Sequence, residues 1–463
     1  MGHRGEARLT AAVTYLAAYT LPWLLGAPFA LLAPQRTWWL PARLALAFAL
    51  GSLALAIEST AMTLMGMPWN PWVPLLISGV LTVVLWRRRK ETLSRSKAPR
   101  PGLAAAGVLV GTLCLAFGYL ASSIGIARAT STDYLIFWGP KAVRFAAAKA
   151  VDPDLLTWEY FRHAQPFYPP LTPVLDAWAV LATGQMPWRI APFTTLIWWG
   201  ATVVLVMEIL RRRLRDRPAA LITSFWGLAM GSSLVASFSA GAAEAPLLLY
   251  TTAGSALLLA QRERPAAGER LLAGVFLAGA VFTKVEGSII SSFLICGVAW
   301  RDSLTEGRIA LRRLLPLAVP PLCVGLGWVT FLTRFDIPTG YLGRGTLLNL
   351  PGDPAVILPA IVGSLSAGVY WVSWIFPVMV LLATARRRQL RHVLPGFVCI
   401  IGLLVFLAAV YLHEPRDPGQ RIRWEVPRAS QTALSLLILA AGIVSFRRPP
   451  ATITISGVSG REP

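Results

Sequence analysis

The chain is a succession of apolar runs, each about 17–25 residues long, separated by short clusters of arginine. A run of that length crosses a hydrocarbon core of about 30 Å as a helix. Inside lipid every backbone polar group must find its partner within the protein, so each crossing is predicted to be helical. The runs lie near 11–33, 43–65, 70–86, 102–126, 188–210, 219–240, 245–261, 312–332, 368–385, 393–412 and 431–446. The stretch 271–300 is too long for one crossing and carries Thr283-Lys284-Val285-Glu286-Gly287 at its middle. It reads as a helical hairpin with that motif at its tip. The fold class expected is therefore an all-α polytopic membrane protein of about 12–13 transmembrane helices.

Composition excludes the main alternatives. A mean hydropathy of +0.59, with 55% hydrophobic and only 14% charged residues, leaves too little polar surface for a soluble fold of 463 residues. The net charge of +21 invites a nucleic-acid reading, but the arginines sit in tight groups between spans. That pattern orients a membrane protein with its basic loops in the cytoplasm, and no nucleic-acid partner is expected. The groups are Arg87 to Lys90, Arg211 to Arg217, Arg262 to Arg270, Arg301 to Arg313, Arg386 to Arg391 and Arg447-Arg448. The remaining loops then face outward: 127–187, the turn at Ala243-Glu244, the Lys284/Glu286 tip, 333–354 and 413–430.

Four regions follow: extra N-terminal helices (1–101), a core with the large external loop 127–187 (102–300), C-terminal helices and loops (301–446), and a cytoplasmic tail (447–463). The apolar stretch from Ala11 to Ala33 exceeds a signal-peptide core and is expected to remain as a first helix. Because 102–126 leaves outward and 188–210 returns, segment 168–185 cannot cross fully. It is expected as a re-entrant or interfacial helix, opened by Pro169-Pro170 and closed near Gly184. The residues after Asp133 also read as an interfacial helix in this loop. The four cysteines lie in apolar runs without metal or disulfide spacing.

Chemistry-bearing residues concentrate in the outward loops. Asp133, just beyond the 102–126 span, is a candidate general base toward an acceptor hydroxyl. Asp152 and Asp154 read as turn and cap residues. Glu244 is a lone carboxylate where two helices meet, either functional or capping the helix that follows. Lys284, with Glu286, suits a phosphate as a flexible point charge, or closes the turn as an ion pair. Lys141, Lys284 and Arg344 are the candidates for stabilising a leaving phosphate, and His163, Tyr168 and Glu286 for contacting the substrate. The loop from Arg416 to Gln431 mixes Arg421, Arg423, Arg428 and Trp424, fitting either a phosphosugar or lipid headgroups. Glu58, deep in a span, is expected to bond to another helix. No phosphate-loop, dinucleotide or zinc motif is present, so a nucleotide-driven pump is not expected; no cofactor is expected, and a lysine and arginine clamp on a leaving lipid phosphate would need no metal.

In their order along the chain, Asp133, Phe137-Trp138-Gly139-Pro140-Lys141-Ala142, His163 through Tyr168-Pro169-Pro170-Leu171, Gly241 to Pro246 and Thr283-Lys284-Val285-Glu286-Gly287 resemble the integral-membrane glycosyltransferase C superfamily. The likeness covers 102–300 and is closest to bacterial mannosyltransferase-like members. It implies inverting transfer of a sugar from a polyprenyl-phosphate donor to a lipid, glycan or protein acceptor. The reaction would take place at the extracytoplasmic face of the inner (plasma) membrane, among membrane lipids. It further implies Asp133 as base and Lys284 on the donor phosphate, with Glu244 where members often carry Asp. The chain departs from the pattern in having Tyr134 rather than a second acid after Asp133, and the resemblance gives Arg428 no role. The rival expectations are a transporter or flippase of a lipid-linked glycan and a non-catalytic envelope assembly protein.

Overall fold

A computed structural model describes residues 2–32, 38–89, 102–126, 130–261, 267–307, 311–339, 359–361, 363–364, 370–384, 387–412, 422 and 426–446. Its elements are helices, and the only β pairing among the described residues is an isolated parallel bridge between Thr130 and Ala240. The protein is an all-α polytopic membrane protein. Among the described residues, seven helices are long and apolar enough to cross a bilayer: Leu40–Leu64, Ala105–Gly125, Ala191–Arg211, Asp216–Ala236, Leu311–Arg334, Leu390–Val410 and Val426–Phe446. Others of the expected 12–13 are shorter. The helix Glu244–Leu259, for example, has 16 residues, or about 24 Å at 1.5 Å per residue.

The chain begins with α1 (Gly2–Tyr19), α2 (Pro22–Leu32), α3 (Leu40–Leu64), α4 (Trp72–Arg89) and α5 (Leu103–Gly125). The single span expected over 11–33 is in fact two helices. Pro22 lacks an N–H and disfavours helical backbone at the residue before it, so the first helix stops short and Pro22 opens the second. Helix α1 packs on segment 171–183, and α2 packs along α3.

The loop after α5 folds as a π-helical turn (Tyr134–Trp138), α6 (Gly139–Ala148), α7 (Pro153–Thr157), a 3-10 turn (Glu159–Ala164) and α8 (Leu171–Thr183). Helix α8 runs from Pro170 to Gly184, whose positive φ of 72° ends it. At 13 residues it spans about 20 Å, too little for a full crossing. Asp152 caps α7, accepting from the N–H groups of Asp154 and Leu155, and pairs with Arg144 at 2.9 Å.

The remaining helices are α9 (Thr194–Arg211), α10 (Asp216–Ala236), α11 (Glu244–Leu259), α12 (Ala267–Thr283), α13 (Val285–Glu306), α14 (Leu311–Arg334), α15 (Tyr370–Thr384), α16 (Arg387–Leu412) and α17 (Gln431–Phe446). Helix α11 is buried along nearly its whole length and forms the centre of the packing. The arginine groups interlock at one end of the bundle. Arg211 and Arg212 grip Glu208, Arg213 pairs with Glu269, and Arg270 pairs with Asp302 at 2.7 Å while donating to Arg313 O. Arg301 donates to Leu258 O at the C-terminus of α11. Since α9, α11 and α13 end there, their N-termini gather at the opposite end, together with the C-terminus of α12.

Glu58 does not make the interhelical bond expected of it. Its Oε2 is buried without a partner, while neighbouring Ser59 accepts from Trp178 Nε1 through its hydroxyl and from Trp69 Nε1 through its carbonyl, both at 2.9 Å.

Candidate functional site

Two chain segments fix the carboxylates. Beyond α5, Ser131 N donates to Ala240 O at 2.9 Å beside the Thr130–Ala240 bridge. Asp133 follows on one strand of this contact and Glu244 on the other, each within about one helical turn of it. Gly241 makes the approach feasible. Its φ is +83°, its N–H donates to Thr195 Oγ1 at 2.8 Å, and a Cβ there would lie 2.9 Å from the Tyr134 ring. Tyr134 is fully buried, with its hydroxyl 3.3 Å from Met186 Sδ, so the π-helical turn that begins after Asp133 is held by its own first side chain.

The hairpin supplies the first cation. Lys284 is a single extended residue between α12 and α13, with φ −157° and ψ 153°. The two helices cross so closely that a Cβ on Gly287 would fall 1.9 Å from Ala280 O. Lys284 Nζ sits 3.2 Å from Glu244 Oε1 and 3.1 Å from Glu286 Oε1. Burial pushes the Lys284 ammonium pKa down, but the charges of Glu244 and Glu286 outweigh this and hold it above the ordinary lysine range.

Arg428, in the turn leading into α17, supplies the second. Its Nη2 donates to Asp133 Oδ2 at 2.6 Å and to Glu244 Oε1 at 2.5 Å, and its Nε reaches the same Glu244 oxygen at 3.1 Å. The guanidinium thereby joins the two carboxylates. Asp133, Glu244, Lys284 and Glu286, singled out separately along the sequence, form one cluster with Arg428, three carboxylates against two cations. It lies at the end of the bundle opposite the arginine network.

Tyr168 belongs beside this cluster. Lys284 Nζ lies 5.8 Å from its ring centroid, and the ring stacks on Trp138 at 5.9 Å. Lys141 and His163 are set apart. Lys141 is buried, donates to Gln165 O at 2.7 Å and lies 5.2 Å from the Trp138 ring, an arrangement that commits its amine to the loop's own packing. Without a carboxylate to offset burial, its pKa is pushed down to about 7. His163 contacts Tyr160 O through Nδ1 at 2.9 Å and packs against Phe137 and Phe161. Arg344, Arg421, Arg423 and Trp424 lie outside the described residues.

Sequence reasoning gave Arg428 no specific part and passed over Asp176 altogether. Asp176 is buried in α8 and accepts from Tyr15 Oη at 2.7 Å, which ties α1 to α8. A lone carboxylate in an otherwise apolar helix was the available signal. Among the described residues no three His, Cys, Asp or Glu side chains are grouped as metal ligands, and the cluster's carboxylates are turned toward cations. No family model, curated protein or solved structure matches this chain.

Proposed function

We propose that this chain is a membrane glycosyltransferase that moves a sugar from a polyprenyl-phosphate donor to an acceptor hydroxyl, with Asp133 as general base. The observation that carries the reading is the meeting of Asp133, Glu244, Lys284 and Arg428 at the end of the bundle away from the arginine network. Basic clusters favour the cytoplasmic side, which supports an extracytoplasmic setting for the cluster at the opposite end. A polyprenyl donor, whose tail is buried in lipid, presents its phosphate at that depth.

The chemistry divides among the residues present. The acceptor oxygen attacks the anomeric carbon from the face opposite the phosphate, its proton passes to Asp133, and the carbon–oxygen bond to phosphate breaks. The bonding pair leaves with the polyprenyl phosphate, whose added charge Arg428 and Lys284 neutralise. Configuration at the anomeric carbon inverts. Arg428 holds Asp133 at 2.6 Å. An incoming phosphate competes for this guanidinium, so donor binding frees the base for the acceptor proton.

The test is Asp133→Asn expressed at normal membrane abundance, with mass spectrometry of envelope glycans beside wild type and a strain lacking the chain. Loss of one glycan product in both the variant and the deletion supports the proposal. Retained product in the variant removes Asp133 as base. If purified protein flips a labelled lipid-linked glycan without any transfer, the chain is a transporter.

A further inference from the structure

Both cations of the cluster spend their bonds on one side of the glutamates. Lys284 and Arg428 converge on Glu244 Oε1, and Lys284 also takes Glu286 Oε1. The other oxygen of each group, Glu244 Oε2 and Glu286 Oε2, is buried and has no hydrogen-bond partner. The Glu244 side chain is 3% exposed and that of Glu286 18%. Buried carboxylate oxygens without partners are costly, and such atoms in a polar cluster point to what completes them. An ionised carboxylate only accepts, so a ligand that completes these two must bring donors.

The charge balance narrows the ligand further. Three carboxylates face two cations, so the cluster carries an excess of one negative charge. A bare pyrophosphate brings further negative charge and no donor for the two oxygens. A phosphodiester carrying a sugar adds only a single negative charge, less than a pyrophosphate, and brings several hydroxyl donors.

We infer that Glu244 and Glu286 are the sugar-reading residues of the site, their free Oε2 atoms accepting hydrogen bonds from ring hydroxyls of the donor. This rests on the glycosyltransferase reading and assigns the two glutamates to the sugar rather than to the phosphate. Glu286 is placed for it by the hairpin: Lys284 is extended and Glu286 falls in the first turn of α13, its Oε1 tied back to Lys284. Rotation of the carboxylate is thereby restrained, and Oε2 keeps a fixed direction. A hydrogen bond from a neutral hydroxyl to a charged acceptor strengthens binding by about tenfold to a hundredfold.

The experiment measures binding, with no turnover required. Full-length protein in detergent is titrated with citronellyl phosphate and with citronellyl phosphate esters of mannose, glucose, galactose and arabinose. At least one sugar ester should bind wild type about tenfold or more tightly than the sugar-free ester. Glu286→Gln should lose that gain while still binding the sugar-free ester, which also shows that the variant is folded. If it fails to bind even that, Glu286→Asp, which keeps the charge but withdraws the oxygens, replaces it in the same comparison. A gain that persists in both Glu286→Gln and Glu244→Gln, or no gain in wild type, overturns the inference and leaves the glycosyltransferase reading standing. Failure of wild type to bind any of the five esters overturns both.

Discussion

Replacing Arg428 with Met removes the group that joins Asp133 to Glu244 while keeping an unbranched stem of similar bulk. The guanidinium is 17% exposed and Glu244 3%, so this is a buried ion pair. Breaking one partner of such a pair costs about 3–5 kcal/mol, because the remaining charge is left in a poorly solvated place. Lys284 still contacts Glu244 at 3.2 Å, which puts the expected loss near the lower figure, about 3 kcal/mol. The charge count gives the control. Arg428→Met takes the cluster from one excess negative charge to two, and adding Glu244→Gln returns it to one. The double variant should therefore be less destabilised than the sum of the singles, by roughly 1.5–3 kcal/mol. Unfolding of detergent-solubilised protein, titrated with a denaturing detergent and followed by circular dichroism, measures all four states of the cycle. Single-variant losses that add to within about 0.5 kcal/mol would mean that Arg428 and Glu244 do not interact, and the cluster as described would be wrong.

Three further perturbations test its surroundings. Lys141 is depressed to about 7 in the folded protein against an ordinary value near 10.5, so between those values the unfolded chain binds more protons than the folded one. Stability should rise as pH goes from 7 to 10, by up to about 1.4 kcal/mol per pH unit, and Lys141→Met should flatten that slope; an unchanged slope in the variant refutes the assignment. Gly287→Ala drives a methyl group into Ala280 O and should destabilise the hairpin by at least about 1–3 kcal/mol, seen as lower folded yield; normal yield and stability would contradict the close crossing. Tyr15→Phe leaves buried Asp176 without its donor at a cost of about 1–3 kcal/mol, and Tyr15→Phe with Asp176→Asn should be milder than the two losses summed.

The helices were largely legible because hydropathy and length decide them. The runs read at 102–126 and 431–446 correspond to α5 and α17 within a residue, and the Lys284 tip stands between α12 and α13 as its motif indicated. The break at Pro22 was visible as a residue but was absorbed into one long apolar run. Side-chain partnerships were less legible. Arg428 and Asp133 are 295 residues apart, and helix packing brings them together without any local pattern. An arginine four residues from a tryptophan in a basic segment has an equally good partner in a lipid headgroup, so composition alone did not favour a carboxylate. Lys141 looked available because a lysine on an amphipathic helix is usually solvated. Its burial follows from the Trp138–Tyr168 stack and the Gln165 carbonyl, contacts that spacing along the chain does not reveal.

The order in which the cluster's charges leave the ribosome has a consequence of its own. Asp133 and Glu244 are made early, Lys284 later, and Arg428 just before α17. A nascent chain thus holds its carboxylates without the guanidinium that gathers them until the segment carrying Arg428 is in place. A chain cut before Arg428 keeps Asp133, Glu244 and Lys284 but lacks the guanidinium that joins the first two.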